Sequence, residues 1–312
     1  MKLISVITGC FNEEENVPLV YERVKAVFAN LPGYDHEMIF IDNASTDNTV
    51  ARLKQIAKTD KHLKLIVNTR NFGGVRSYYH ALLQAGGDAV VAMSCDLQDP
   101  PELIPDFIRE WENGAQVVAA VKTTSRENYF VHKFRTACYK ILNTLSSIEL
   151  IEHHTGFGLY DHRVIVELRK LDDRYPFFRG LICELGFKTA RVPFEQPQRK
   201  FGRTKFKWYD LYDMAMLGLT SHSVVPMRIA TFMGFALAGL SFLVAFGYLV
   251  AKLIFWSSFP LGLAPLVIGM FGMFSVQLIF IGLLGEYIGA SHRQLLHRPL
   301  VVEQERINFD PD

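Results

Sequence analysis

Cysteine is scarce: 312 residues hold only Cys10, Cys95, Cys138 and Cys183. They lie dozens of residues apart with no C-x-x-C pair, which excludes a zinc ribbon or a disulfide framework and leaves a reduced, cytosol-facing chain as the expectation. An excess of one charge is missing too. The 33 Lys and Arg stand against 32 Asp and Glu, a formal charge of +1, so no nucleic-acid partner is expected to bind through bulk charge. A leader is not expected either, because the apolar run from Met1 to Thr8 ends too soon before Glu13, Glu14 and Glu15. The sharpest deficit is local. From Ile229 to Ala290 only Lys252 and Glu286 carry charge, in a chain that is 21% charged overall.

What is present begins with alternation. Strands are predicted at Leu3 to Ile7, Glu37 to Ile41, Leu63 to Val67, Ala89 to Met93 and Gln116 to Val121, and helices at Val17 to Asn30, Asn48 to Thr59, Val75 to Ala85 and Pro101 to Asn113. Short apolar strands separated by helices mean βαβ units and an α/β fold with a mostly parallel sheet. Such sheets bind ligands beyond the carboxyl ends of their strands. Polar clusters stand at four of those ends: Asn12-Glu13, Asp42-Asn43, Arg70-Asn71 and Asp96 to Asp99. Solvation alone does not account for four of them. Asp42 is the sharpest, since a buried strand end is a costly place for an idle carboxylate, whereas Ser45 to Asn48 reads equally as a turn and helix cap.

Further along, Val131, Phe134, Cys138, Ile141, Leu142, Leu145 and Ile148 recur at helical spacing, as core packing or as a membrane-surface helix. A second stripe, Trp208, Leu211, Tyr212, Ala215 and Leu219, follows a basic run and suits the membrane interface. Ile229 to Ala251 and Ala264 to Gly285 are each long enough for the roughly 20 residues that span a bilayer. Two transmembrane helices are expected, in preference to a buried helical hairpin. Lys252 can snorkel outward, with Trp256 in the interfacial belt and Pro260 in the turn. Arg199 to Lys207, Arg228, Arg293 and Arg298 flank the pair against Lys252 alone between its members, so the positive-inside rule puts both flanks in the cytoplasm. The resulting division is 1–207 for an α/β domain, 208–228 for an interfacial helix, 229–290 for the membrane hairpin and 291–312 for a tail. Gly234, Ala238, Gly269 and Gly272 permit close helix packing, within one chain or in a homo-oligomer.

The segment Cys95-Asp96-Leu97-Gln98-Asp99-Pro100-Pro101-Glu102 is the most specific. Alone, it is also a good helix start. Together with Asn12-Glu13, Asp42 to Asp47 and Arg70-Asn71-Phe72-Gly73, it resembles the family 2 glycosyltransferases of the glycosyltransferase-A fold. More narrowly, it is similar to the polyprenyl-phosphate branch (dolichol-phosphate mannose synthase-like, bactoprenol glucosyltransferase-like), where D-L-Q-D-P-P-E and a two-helix anchor occur together. The resemblance covers nearly the whole chain.

It implies a Rossmann-like catalytic domain, a nucleotide-sugar donor and one Mg²⁺ or Mn²⁺ to neutralise the departing diphosphate. Asp96 is the implied metal ligand, with Gln98 beside it; the family's usual acidic residue two positions earlier is Ser94 here. The implied donor-binding residues are Phe11, Asn12, Glu13, Ile41, Asp42, Asn43, Arg70, Cys95, Asp96 and Gln98, and Asn43 stands where a second aspartate is common. Arg199, Gly202, Thr204 and Lys205 match the family's R-x-x-G-x-S-K element. Arg199, Arg203 and Lys205 are accordingly expected at the acceptor phosphate, with Asp96, Arg199 and Lys205 catalytic. As a bare charge run the same segment reads as a solvated or lipid-attracted surface.

In Thr155-Gly156-Phe157-Gly158-Leu159-Tyr160-Asp161, Gly156 and Gly158 replace the family's usual Asp and Arg. A missing base suits a phosphate nucleophile, which is already ionised near pH 7 because its second pKa is about 6. His153 and His154 are expected to be neutral surface residues. The resulting expectation is an inverting, metal-assisted transfer of a hexosyl unit, best glucose from UDP-glucose, to a polyprenyl phosphate at the cytoplasmic face of a bacterial inner membrane. The alternatives are a hydroxyl-acceptor transferase building a glycolipid or polysaccharide, and a catalytically lapsed membrane scaffold.

Overall fold

The structure is a computed structural model that describes residues 1–124, 151–197, 216, 225–254, 263–296 and 298–309. The stripe from Val131 to Ile148, the basic segment from Arg199 to Lys207, the stripe from Trp208 to Leu219, and Trp256 and Pro260 lie outside the described residues.

The N-terminal half follows the predicted alternation: β1 (Lys2–Cys10), α1 (Asn16–Ala29), β2 (Tyr34–Asp42), α2 (Thr49–Thr59), β3 (Leu63–Asn68), α3 (Gly74–Gln84), β4 (Ala89–Ser94), a 3₁₀ turn (Pro101–Leu103) running into α4 (Ile104–Glu112), and β5 (Val117–Thr124). Then come β6 (His154–Asp161), α5 (His162–Leu171), α6 (Phe178–Glu184), β7 (Thr189–Glu195), α7 (Val225–Ile254), α8 (Leu263–Leu295) and β8 (Glu303–Ile307). All eight strands join one sheet in the order β7-β5-β6-β4-β1-β2-β3-β8. The pairs β1–β2, β1–β4, β2–β3 and β5–β7 are parallel, and β6 runs antiparallel to both neighbours.

Apolar side chains alternate between the two faces of the sheet. Met38 and Phe40 of β2 join a core with Val17, Val24, Leu53 and Phe107, beneath α1, α2 and α4. Ile39 and Ile41 face the other way, against Tyr79, Leu82, Val164 and Leu181 of α3, α5 and α6. Burial on both faces is why the strands read as continuous apolar runs. Among the described residues Cys10 and Cys95 are buried and Cys183 is half-buried.

The last strand departs from the expected tail. Residues of β8 pair antiparallel with the outer edge of β3, Leu65 opposite Ile307 and Val67 opposite Glu305, and so cover an otherwise open edge. Glu303 meets His80 at 2.6 Å, Glu305 pairs with Lys54, and Asn308 donates through Nδ2 to the carbonyls of Ala57 and Leu63, both at 2.8 Å. Edge position explains why E-Q-E-R-I carries no hydrophobic signal.

Among the described residues, the single helix that passes a test of length and hydropathy for crossing a membrane is α7. Met227–Val244 has a mean hydropathy of 1.7 and none of it is buried. Large apolar side chains of α8, among them Leu278, Ile279 and Ile288, are exposed as well.

Candidate functional site

Parallel pairing sets the strand ends level, with Gly9 beside Ser94, Cys10 beside Asp42, and Asp42 beside Val67. The loops that follow β1, β2 and β4 therefore open on one crevice. Each contains a non-glycine residue in the left-handed region: Asn12 at φ 54°, Ala44 at φ 62° and Leu97 at φ 61°. Asparagine tolerates this conformation, but alanine and leucine sacrifice about 1–2 kcal/mol each. Such strain concentrated at strand ends is the mark of a working site.

Asp42 is completely buried. Ser45 donates to it through its backbone N–H at 2.8 Å and through its hydroxyl, and the Cys10 thiol lies 3.8 Å away. Burial pushes the Asp42 carboxyl up, against the Ser45 hydrogen bonds that favour its ionised form. The same serine hydroxyl receives the Asn12 N–H at 2.8 Å, and Asn12 Oδ1 receives the Thr46 N–H at 2.8 Å. Glu13 is held by its N–H to Thr49 Oγ1 at 2.9 Å and by Asn16 Nδ2 to its carboxylate at 2.6 Å. Asp47, not Asn48, receives the first N–H of α2, from Thr49 at 3.0 Å. Segment 42–49 is thus both the turn and cap read from sequence and a clasp on the loop after β1.

Asn43 is equally committed. Its Nδ2 donates to Asn71 Oδ1 at 2.9 Å, while its Oδ1 accepts from the Phe72 N–H at 2.9 Å and from Asn68 Nδ2 at 3.2 Å. An aspartate in its place has no donor for Asn71, so the amide is what this loop arrangement demands. Arg70 is exposed at the end of β3, with its guanidinium 4.0 Å from the Phe72 ring centroid. Sequence reasoning missed Asn68, Asn71 and Phe72 as partners, because nothing in their spacing says that an amide chain joins β2 to β3.

At the end of β4, Asp96 is half-buried and its Oδ1 accepts from the Ser94 hydroxyl at 2.8 Å and the Gln98 N–H at 3.1 Å. Ser94 therefore supports Asp96 through its hydroxyl. Asp99, missed as a site residue, is buried and accepts the Ser94 N–H at 2.8 Å; burial raises its carboxyl and the Asp96 charge adds to that. Among the described residues no three His, Cys, Asp or Glu side chains gather closely enough to hold a metal ion. The hard oxygen of Asp96 suits Mg²⁺ or Mn²⁺ only as one ligand among substrate phosphates and water, which is how Mg²⁺ is ordinarily bound.

Of the expected site residues, Phe11, Asn12, Glu13, Ile41, Asp42, Asn43, Arg70, Cys95, Asp96 and Gln98 lie on these strand ends and loops. Arg199, Arg203 and Lys205 lie outside the described residues.

The two glycines of β6 have separate structural causes. At Gly158 a Cβ would lie 2.2 Å from the Val118 carbonyl oxygen of β5, so no side chain fits. Gly156 has φ +99°, which disfavours any residue with a Cβ. The reading of His154 as a surface residue is corrected. It is buried, with Nδ1 3.1 Å from the Ala120 carbonyl and Nε2 3.2 Å from the Tyr160 hydroxyl, and burial lowers its pKa to about 4. It is neutral because it is enclosed, since charging an imidazole there forfeits its hydration.

Residues 5–180 match the pattern of Glycosyl transferase family 2. The bactoprenol glucosyl transferase of Shigella phage SfV is 33% identical over 305 residues, covering 97% of this chain and 99% of that protein. A prophage bactoprenol glucosyl transferase homolog of Escherichia coli strain K12 is 32% identical over 297 residues, 95% of this chain and 96% of its own. Among solved structures, the mannosyltransferase of Pyrobaculum calidifontis in complex with GDP-Man and Mn²⁺ aligns over 94% of this chain and 86% of its own, at 16% identity and a TM-score of 0.44.

Proposed function

Because the chain belongs to glycosyl transferase family 2 and is a glycosyltransferase, we propose that it moves a hexosyl unit, glucose from UDP-glucose, onto a polyprenyl phosphate at the cytoplasmic face of a bacterial inner membrane. The observation that carries this reading is end-to-end similarity, through the apolar C-terminal helices, to proteins named bactoprenol glucosyl transferase. In this reading α7 and α8 both cross the bilayer. At 1.5 Å per residue, helices of 30 and 33 residues reach about 45 and 50 Å, more than the roughly 30 Å hydrocarbon core.

The donor lies in the crevice beyond β1, β2 and β4. Its nucleoside rests against Phe11, Asn12, Glu13, Ile41, Arg70 and Cys95, while buried Asp42 and Asn43 act chiefly by fixing the loops around it. Asp96, with Gln98 beside it, would hold Mg²⁺ or Mn²⁺ when the donor diphosphate is bound. A divalent ion so bound supplies electrostatic stabilisation to the leaving group. Arg199, Arg203 and Lys205 gather the acceptor phosphate, and Arg199 and Lys205 add positive charge where negative charge develops. The acceptor oxygen attacks the anomeric carbon from the face opposite the leaving diphosphate, which inverts the configuration. It carries its charge already, so the carboxylate absent at Gly156 is not required as a base.

The test incubates the detergent-purified full chain with polyprenyl phosphate, Mg²⁺ or Mn²⁺ and a panel of UDP- and GDP-sugars. Nucleoside diphosphate release and glycolipid formation are followed together, with Asp96→Ala alongside. A lipid-dependent product lost in the variant is the expected result; transfer only to a hydroxyl acceptor, or donor binding without turnover with any sugar, refutes the reading.

A further inference from the structure

Arginines from two distant parts of the sequence meet beside the crevice, with no counter-charge among the described residues. Arg70 follows β3, Arg76 sits in the first turn of α3, and Arg298 belongs to the segment between α8 and β8. The Phe72 ring lies between the first two, with their guanidinium carbons 4.0 and 5.6 Å from its centroid. Arg76 donates through one terminal nitrogen to the carbonyl of Pro299, which brings it against the residue next to Arg298. Its Nε is buried, with no hydrogen-bond partner among the described residues. Arg293, at the end of α8, lies 5.4 Å from the Tyr175 ring, and its Nε is likewise buried without a partner.

Among the described residues no carboxylate lies within ion-pair distance of Arg70, Arg76, Arg293 or Arg298. The nearby acids are already engaged: Asp172 pairs with Arg174 at 2.6 Å, and Asp173 accepts from Gln294 Nε2 at 2.6 Å. The Arg76 guanidinium is depressed from its ordinary value first by burial and then by the charges of Arg70 and Arg298. Cations held this close repel one another, and an arginine fork with an idle donor is the natural complement of a phosphate.

We propose that Arg76 and Arg298, next to the donor-side Arg70, form a phosphate-binding site for an anionic phospholipid headgroup, at the junction between the apolar helices and the α/β domain. A lipid is favoured over a soluble phosphate because Arg298 lies three residues beyond Leu295, where the exposed apolar helix α8 ends. That choice rests on the reading of α7 and α8 as bilayer helices; lipid retention, the quantity measured, is independent of whether sugar is transferred. The site also touches the donor side of the crevice. Phe72, flanked by two of the arginines, is pinned through its N–H to Asn43, so a headgroup held there steadies the loop after β3.

The experiment is native mass spectrometry of the full chain in neutral detergent, with phosphatidylglycerol, phosphatidylcholine, inorganic phosphate or UDP added in separate arms. Phosphatidylglycerol is expected to be retained in preference to phosphatidylcholine. Arg298→Gln is expected to weaken that retention about tenfold, the scale of one hydrogen bond to a charged group. Arg298 is exposed and makes no hydrogen bond with the described residues, so this variant leaves the fold intact. Arg76→Gln should act in the same direction, while Arg52→Gln, an equal charge change on α2, should not. Equal loss with R52Q, equal retention of phosphatidylcholine, or no effect of R298Q overturns the proposal. Displacement of the lipid by inorganic phosphate or UDP also overturns it, reassigning these arginines to a soluble phosphate or to the donor.

Discussion

Gly158 offers the most direct physical test of how closely β5 and β6 approach. An added methyl would sit 2.2 Å from the Val118 carbonyl oxygen, with the Val118 carbon at 3.2 Å and the Ala119 Cα at 3.3 Å. That is about 1 Å inside the ~3.3 Å at which carbon and oxygen ordinarily meet. The obstruction is backbone in the middle of a sheet, so no rotamer can relieve it, and β5 and β6 must part. Overpacking of this kind costs about 1–3 kcal/mol, and a rigid backbone neighbour puts Gly158→Ala at the upper end. For a domain of this size 1 kcal/mol moves the melting midpoint by roughly 2–4 °C, so G158A should melt roughly 6–12 °C below the parent chain by circular dichroism in detergent. Gly158→Arg, a far larger side chain at the same place, should fare worse. An alanine variant melting within about 2 °C of the parent would refute the close approach of β5 to β6.

Other outcomes follow from the same geometry. Asp96→Ala should lower turnover by at least about 100-fold, the scale of losing one preorganised electrostatic contact, with melting unchanged; a smaller loss in steady-state nucleotide release removes Asp96 from the reaction. Asn43→Asp leaves Asn71 Oδ1 without its donor and should cost about 1–3 kcal/mol, read as a lower melting midpoint and a higher KM for the donor. His154 is held neutral with a pKa of about 4 against 6.5 for the free side chain, so below pH 6.5 the unfolded chain takes up the proton first. Stability should therefore fall by up to about 3 kcal/mol as pH drops from 6.5 towards 4. His154→Gln should flatten that part of the stability curve; a parallel curve for the variant sinks the assignment.

The N-terminal elements were legible because each strand is buried on both faces and each helix buries a stripe, leaving a hydrophobic record in the sequence. Their predicted limits differ from the observed ones by three residues or fewer, as with Glu37 to Ile41 inside β2 (Tyr34–Asp42). The polar strand ends were legible for the same reason, as interruptions in apolar runs. Three things were not. The amide chain Asn43, Asn68, Asn71 depends on partners that only the folded loops bring together. The closeness of β5 and β6 at Gly158 leaves no local trace except the missing side chain itself. His154 sits at the start of β6, and its enclosure depends on Ala120 and Tyr160, which its sequence neighbours do not announce.

The final strand sets a rule of parity on the helices before it. β7, which precedes the α7–α8 pair, and β8, which follows it, belong to one sheet. If α7 crosses a bilayer, α8 must cross it back for β8 to rejoin that sheet. Cutting the chain after Leu295 would remove that requirement and expose the edge of β3 in one stroke, making the last residues a structural rivet instead of a dispensable end.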